Sequence, residues 1–383
     1  MGLCQPSNKC SESIITMRHL TLSPKKEVSP MKKIAVAVLG ATGPIGQRFV
    51  QMLESHPYFD IEGLYASERS GGKRFGDIVK VRGHEFSEDT LEARIRPMDI
   101  DGIARNARVV FSGIPSELAG PAESELAAKG AAVFTNAGSH RMDEHVPIII
   151  PEINPGHAAA VERQGTYGGG GYIVTNANCT STGIAAPLHA LDGAFGLREV
   201  FVSTYQALSG AGYPGVPSLD AVGNVVPFID KEEEKMEAEL AKILGGYTDG
   251  GFEPAGFKVV ANCARVPVID GHLEALAIRL ESSPSLEEVS SVLSGFKGEP
   301  QSLRLPSAPE APIIVRQERD RPQPAYDALA GSPDRARGMA STVGRIRESH
   351  GYYKMFALSH NTIRGGAGGS VLNAELFVAK GLL

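Results

Sequence analysis

Residues 32–55 constrain the fold more than any other segment of this chain. Lys32 to Leu39 (KKIAVAVL) is a short apolar run of small and β-branched side chains, the pattern of a parallel strand buried on both faces. It runs directly into Gly40-Ala41-Thr42-Gly43-Pro44-Ile45-Gly46, and then into a helix-like segment, Gln47 to Ser55, with Phe49, Val50 and Leu53 on one face. The G-x-x-G-x-x-G spacing is a variant of the fingerprint that binds dinucleotides. Its glycines permit the tight turn and let backbone amides at a helix N-terminus approach a pyrophosphate. Glycine spacing alone is weak evidence; the strand before and the helix after supply the required context. Gly40, Thr42, Gly43, Pro44, Ile45 and Gly46 are the first cofactor-binding candidates.

The alternation continues. Strand-like runs at Ile61–Ala66, Ala107–Phe111 and Ala131–Thr135, a helix-like run at Ser116–Lys129 and a strand entering Cys179 make 32–178 a doubly wound sheet. At the end of the second strand, folds of this kind place a carboxylate for a ribose hydroxyl or an arginine for a 2′-phosphate. Here Ser67, Arg69, Ser70 and Lys73 stand there, which favours NADP, while Glu68 and a plain solvated loop are the competing readings. Gly165 to Gly171 (GTYGGGG) reads as a flexible surface loop.

The chemistry points to Cys179. It lies in Asn178-Cys179-Thr180-Ser181-Thr182, after the apolar Tyr172-Ile173-Val174 and before a helix-like run, with Thr180, Ser181 and Thr182 as possible caps. A thiol at a helix start meets unpaired N–H groups and the positive end of the dipole, which favours thiolate. The same donors suit an oxyanion on an attacked carbonyl. The plainer reading is a small packed cysteine at a strand end.

Composition removes other classes. The net charge of −6 gives no support to nucleic-acid binding, and the longest apolar stretches are too short to cross a membrane. Four cysteines, at 4, 10, 179 and 263, form neither a disulfide framework nor a metal-ligand spacing, which fits a reducing, cytoplasmic compartment. None of the ten histidines has convincing metal-ligand partners; His140 and His145 read as loop residues. Residues 1–31 read as a disordered leader or an upstream start ahead of Met31. Their serines and Arg18, Lys25 and Lys26 suggest an organelle transit peptide, against which Glu12 and Glu27 argue.

Beyond Cys179 the texture is mixed α+β. Strand-like runs fall at Val200–Tyr205, Lys258–Val260, Ala264–Ile269, Leu273–Leu280 and Ile313–Val315. Pro306 to Gly338, rich in Pro, Arg and Asp, reads as a long surface connection or partner-contacting arm. Asn361 opens a second glycine-rich stretch before a helix-like Val371 to Leu382, placed to fold back against the cofactor. Arg265 and His272 flank an Asp-Gly turn. The arginine offers a planar fork for a carboxylate, and the histidine suits a thiol proton near neutral pH.

These residues, together with Asn136–Arg141, Pro151–Asn154, Thr204–Gly212 and Asn361–Arg364 in this order, resemble the aspartate-β-semialdehyde dehydrogenase family, in its archaeal and fungal-type branch. The resemblance spans nearly all of Lys32 to Leu383. It implies a Rossmann-like NADP domain at 32–178 with 361–383 packing back on it, and a catalytic and dimerisation domain at 179–360. The implied activity is NADPH-dependent reduction of aspartyl phosphate to aspartate semialdehyde, in lysine, threonine and methionine biosynthesis, by a homodimer or homotetramer. Carried over residue by residue, it implies Cys179 as nucleophile, His272 as acid/base, and Gln206 and Asn178 beside the reacting group. Arg265 would hold the substrate carboxylate, Arg141 and Lys235 phosphate, and Glu232 the substrate amine, with the run Glu232-Glu233-Glu234 leaving that register open by one. Ser209, Gly210 and Asn361 join the cofactor contacts. The nearest rival on the same scaffold is a malonyl-CoA reductase, for which Glu232 would lack an ammonium partner. N-acetyl-glutamyl-phosphate reductase differs in its cysteine context. A non-catalytic nucleotide-binding protein would need only the glycine loop.

Overall fold

The computed structural model describes residues 1, 2 and 32–383. Apart from Met1 and Gly2, the leader read at 1–31 lies outside the described residues. The apolar run after Lys33 forms β1 (Ile34–Leu39), whose last four residues are buried. Six more strands join it: β2 (Phe59–Ala66), β3 (Ile95–Pro97), β4 (Val109–Ser112), β5 (Ala132–Thr135), β6 (Ile148–Ile149) and β7 (Tyr172–Asn176). All seven run parallel in the order β3-β2-β1-β4-β5-β7-β6. The chain leaves β1 for β2 on one side and later fills β4 on the other. The loop after β1 therefore opens at the point where strand order reverses, the usual place for a ligand crevice.

The helix after the glycine turn is Pro44–Leu53, starting three residues earlier than its apolar pattern suggests, because Pro44 takes the first helical position where a missing N–H costs nothing. Phe49, Val50, Met52 and Leu53 pack into a core with Val36, Val38, Phe59, Phe111 and Phe134. The same core holds Val371, Leu372, Leu376 and Phe377 of the last helix, Gly368–Ala379, with Phe377 lying 5.4 Å from Phe134 and 5.5 Å from Tyr172 between ring centres. The C-terminal helix thus returns to the first sheet.

The second sheet has six strands: β8 (Leu197–Gln206), β11 (Lys258–Arg265), β12 (His272–Leu280), β13 (Ile313–Arg316), β14 (Ser341–Ser349) and β15 (Tyr352–Ser359), with β9 (Gly246–Thr248) and β10 (Gly251–Glu253) as a separate ribbon. The order β11-β8-β12-β15-β14-β13 mixes parallel and antiparallel pairs. The helix Cys179–Phe195 covers one face, burying Ile184, Leu188 and Leu191 against Val200, Val202, Leu276 and Met355. The other face carries the half-exposed Phe201, Tyr205 and Val260.

Several sequence expectations change here. Lys258–Val260 and Ala264–Ile269 are not two strands; the first, with the polar Asn262 on its open face, continues as β11 to Arg265 and stops there. The Asp-Gly turn between Arg265 and His272 does not join neighbouring strands, because β8 lies between β11 and β12 and the connection crosses its end. The 306–338 segment is more than a surface connection. It supplies edge strand β13, buries Ser307, Ala308 and Ala336, and sends Arg335 to the carbonyls of Met52 and Ser55 at the end of the glycine-turn helix. The helix read at Val371–Leu382 starts earlier, inside the glycine-rich stretch: Ile363–Ala367 is a wide helical turn leading into Gly368–Ala379, and Gly365, Gly366, Gly368 and Gly369 are buried. Residues 165–171 include a 3₁₀ turn at Tyr167–Gly169, with Gly171 packed on the carbonyl of Ala127.

Candidate active site

The thiol stands at the first turn of its helix, with Cys179 as the first helical residue. The cap is Asn178 rather than Thr180, Ser181 or Thr182. Its Oδ1 accepts the Thr180 N–H at 2.8 Å, and its own N–H donates to Glu239 Oε2 at 2.7 Å. His272, the first residue of β12, places Nε2 3.2 Å from Cys179 Sγ. The Ala207 N–H donates to His272 Nδ1 at 3.0 Å. An amide N–H can only donate, so the neutral ring keeps its proton on Nε2, directed at the sulfur. Burial, with Arg265 adding to it, holds His272 well below the usual imidazole range, so that neutral form is the resting one.

This geometry changes two expectations. The helix start was expected to favour thiolate, but burial, reinforced by Glu232, pushes the Cys179 thiol up to about 12 despite the opposing pull of Arg265 and Arg141. His272 was expected to take the thiol proton. With Nδ1 receiving an amide proton, the neutral ring in this arrangement presents its Nε2–H toward the sulfur.

Gln206, at the end of β8, and Arg265, at the end of β11, sit side by side. Gln206 Oε1 accepts from Arg265 Nη1 at 3.4 Å, and the same nitrogen donates to the Ala207 carbonyl at 2.9 Å. Arg265 is buried and forms no ion pair among the described residues, so its positive charge is available to an anion that meets the guanidinium beside Nη1. Of the three adjacent glutamates, Glu232 is the one turned into this cluster. Its Oε1 accepts from Asn178 Nδ2 (3.0 Å), Thr180 Oγ1 (3.0 Å) and Gln206 Nε2 (3.1 Å). Glu233 turns to the Cys263 N–H instead, and Glu234 is exposed. Lys235 is not brought to this cluster; it is exposed on the helix Glu232–Ile243.

Arg141 is close by but already engaged. It pairs with Glu239 Oε1 at 2.9 Å and donates to the carbonyls of Asn176 and Asn136. Sequence reasoning missed Glu239 and Lys242. Buried Lys242 donates Nζ to the carbonyls of Arg141, Asp143 and Val146 and fixes the loop carrying Arg141. The signal was present: Glu232, Met236, Glu239 and Ile243 repeat at helical spacing on one buried face.

The glycine turn fits a dinucleotide. Gly43 caps the helix Pro44–Leu53 without a side-chain acceptor, so the N–H groups of Ile45 and Gly46 are free to meet an anion. A Cβ on Gly46 would lie 2.0 Å from the Gly40 carbonyl oxygen, so only glycine closes this turn. Between this turn and the second sheet lies a cavity of about 360 Å³ bordered by Pro44, Arg48, Ser209, Tyr213, Asp270 and Thr362. Asn361 donates to Ser209 Oγ at 2.8 Å and accepts the Gly271 N–H at 2.9 Å, tying the Leu208–Ala211 turn to the residue before His272. Gly210 sits against Arg265 and His272. Ser67, Arg69, Ser70 and Lys73 form a short turn after β2, outside that cavity, with Arg69 and Lys73 exposed.

Comparison with known proteins agrees with this arrangement. Residues 35–161 match the family described as "Semialdehyde dehydrogenase, NAD binding domain", and residues 186–364 that described as "Semialdehyde dehydrogenase, dimerisation domain". An aspartate-semialdehyde dehydrogenase of Archaeoglobus fulgidus is 45% identical over 92% of this chain and 100% of its own length. The chain belongs to the aspartate-semialdehyde dehydrogenase family. The crystal structure of the Candida albicans member with NADP superposes with a TM-score of 0.81 at 37% identity, covering 92% of this chain and 100% of that one. A malonyl-CoA reductase (NADP) of Metallosphaera sedula is 38% identical over 92% of this chain and 99% of its own. Among the described residues no helix is long and apolar enough to cross a membrane, and no group of His, Cys, Asp or Glu is placed to hold a metal.

Proposed function

We propose that this chain catalyses the NADPH-dependent reduction of L-aspartyl 4-phosphate to L-aspartate 4-semialdehyde and phosphate through a thioester on Cys179, a step that serves lysine, threonine and methionine biosynthesis. The observation that carries the reading is the Cys179–His272 contact of 3.2 Å at a helix start, with the fork of Arg265 buried beside it and free of any acid. Cys179 Sγ attacks the acyl carbon, the C–O bond to phosphate breaks, and the thiol proton leaves with the phosphate as hydrogen phosphate. Bound NADPH supplies hydride to that carbon. His272 Nε2–H, beside the sulfur, donates to the developing oxyanion and recovers its proton as the C–S bond breaks to release the aldehyde, and the departing Cys179 thiolate takes one proton from solvent to restore the thiol. Because Asn178 already occupies the Thr180 N–H, this histidine donor carries more of the oxyanion charge than a bare helix terminus would require.

Arg265 takes the substrate carboxylate, Glu232 the ammonium, and Gln206 and Asn178 hold Glu232 in place. Phosphate is met by the remaining N–H groups of Arg141, with Lys235 approaching only if substrate draws it in. The Gly40–Gly46 turn, Ser209, Gly210 and Asn361 hold the cofactor, and Ser67, Arg69, Ser70 and Lys73 face its 2′-phosphate. The open face bearing Phe201, Tyr205 and Val260 pairs two copies into a dimer. A reducing compartment, the cytoplasm, keeps Cys179 a thiol.

The assay is phosphate-dependent reduction of NADP⁺ by aspartate semialdehyde, run beside NADPH oxidation by malonyl-CoA. Activity with malonyl-CoA alone would reverse the substrate assignment. Arg69→Ala is expected to lower the NADP-over-NAD ratio of kcat/KM by about ten- to a hundredfold, the value of one charge-assisted hydrogen bond. An unchanged ratio would show Arg69 to be merely solvated. Arg265→Lys keeps the charge but loses the fork, so KM for semialdehyde should rise while kcat falls, whereas Arg141→Ala should mainly weaken the response to phosphate.

A further inference from the structure

Glu274 follows His272 by two residues on β12, so both side chains leave the same face of the strand. It is fully buried, and neither carboxyl oxygen has a hydrogen-bond partner among the described residues. Its position is fixed by Gly183: a Cβ there would lie 3.2 Å from each Glu274 oxygen and 2.8 Å from Ser359 Oγ. Gly183 comes one helical turn after Cys179, which puts the carboxyl about one turn, roughly 5–6 Å, beneath the nucleophile. The mechanism above uses Cys179, His272, Glu232 and Arg265 and leaves this acid unemployed.

The groups around it explain why it stays uncharged. On its own sheet it faces Thr204 across β8 and Ala357 across β15, with Ser359 beyond. From the helix side come Cys179 and Gly183. His272 is neutral, and His360, just past β15, is held by burial down to about 4 and is neutral as well. The charged groups Glu232, Arg265 and Arg141 act on Cys179. None pairs with Glu274, whose burial drives its carboxyl well above the ordinary range. An amide would fill the same space and leave nothing to titrate.

We propose that Glu274 and Cys179 share one negative charge, so that the site holds a Cys179 thiolate only while the Glu274 carboxyl keeps its proton. Two like charges one helical turn apart in a buried site titrate as a pair, and ionising either opposes the other. Glu274 is thereby a positioning residue for charge. It touches no reacting atom, yet it sets the pH above which the nucleophile loses ground. The inference rests on Cys179 as nucleophile but not on the substrate assigned to it.

The test is the pH dependence of Cys179 alkylation by iodoacetamide in the full chain without substrate or cofactor, followed by mass spectrometry of the Cys179 peptide. Parent and Glu274→Gln rates should coincide at low pH, where Glu274 is neutral in both. They should diverge as pH rises, with the variant faster by about tenfold on the alkaline side, a shift of about one pH unit. Curves that superimpose, or that differ by a constant factor at every pH, would overturn the proposal, since a packing role has no pH signature. A second measurement on the parent protein guards against a variant that does not fold. The infrared carbonyl band of a neutral buried acid should be present at neutral pH, and its alkaline loss should coincide with the pH at which the parent's alkylation rate stops rising tenfold per pH unit. Absence of that band, or a loss with no accompanying break in the alkylation curve, would equally overturn it. Because alkylation needs no substrate, failure of the substrate assays leaves this result readable on its own.

Discussion

Cys179→Ala is expected to reduce turnover by at least about 10⁴-fold, to the level left by binding and orientation alone, because among the described residues no other thiol stands beside His272. NADPH binding, followed by fluorescence, should stay near that of the parent, since the Gly40–Gly46 turn belongs to the first sheet and does not depend on the sulfur. Cys179→Ser should be severely impaired as well. The site buries the group and pushes even a thiol up to about 12, so a hydroxyl there gains nothing toward ionisation. Acylated parent protein should carry its single adduct on Cys179. Cys263 is a buried thiol held up at about 11 on the neighbouring strand and is expected to stay unmodified. Near-normal turnover in Cys179→Ala, or an adduct on Cys263, would end the covalent mechanism.

The second large effect is at His272. Removing the ring in His272→Ala should cost about 10²–10⁴-fold in kcat, the range of a positioned acid/base group. His272→Gln separates donor from base. A glutamine amide can place an N–H near the position of Nε2 but cannot take a proton. If the ring serves as the Nε2–H donor that the Ala207 contact imposes, glutamine should recover about tenfold over alanine, the worth of one hydrogen bond. Equal rates for the two variants would return His272 to the role of thiol base. The measurement is kcat for both variants at saturating substrate, with the cofactor affinity checked separately.

Much of this could be read from the chain because the signals were local. A β-branched run, a glycine turn and an amphipathic segment specify strand, turn and helix within 24 contiguous residues. Proline at the first helical position and an asparagine before the cysteine are likewise short-range chemistry. What misled was composition without partners. The 306–338 segment is rich in proline and charge, and looks like surface until β14 pairs with its strand and Asp327 neutralises Arg316 and Arg321. The glycines after Asn361 read only as a turn before the helix until the last helix is packed so tightly that side chains would not fit. Strands β14 and β15 passed unnoticed although each pairs over most of its length.

The sequence by itself determined the kind of site: a nucleotide turn, a thiol at a helix start, a histidine and an arginine on one short segment, and glutamates with helical spacing. It could do so because each depends on residue type and near neighbours. Only the tertiary structure decided which proton sits where. The Ala207 amide just past β8 fixes the His272 tautomer, burial outweighs the helix start at Cys179, and the helix face picks Glu232 from three adjacent glutamates. Glu274 acquires its meaning the same way, from Gly183 and Ser359 far along the chain. Charge and protonation follow from desolvation and from partners distant in sequence, which no local pattern encodes.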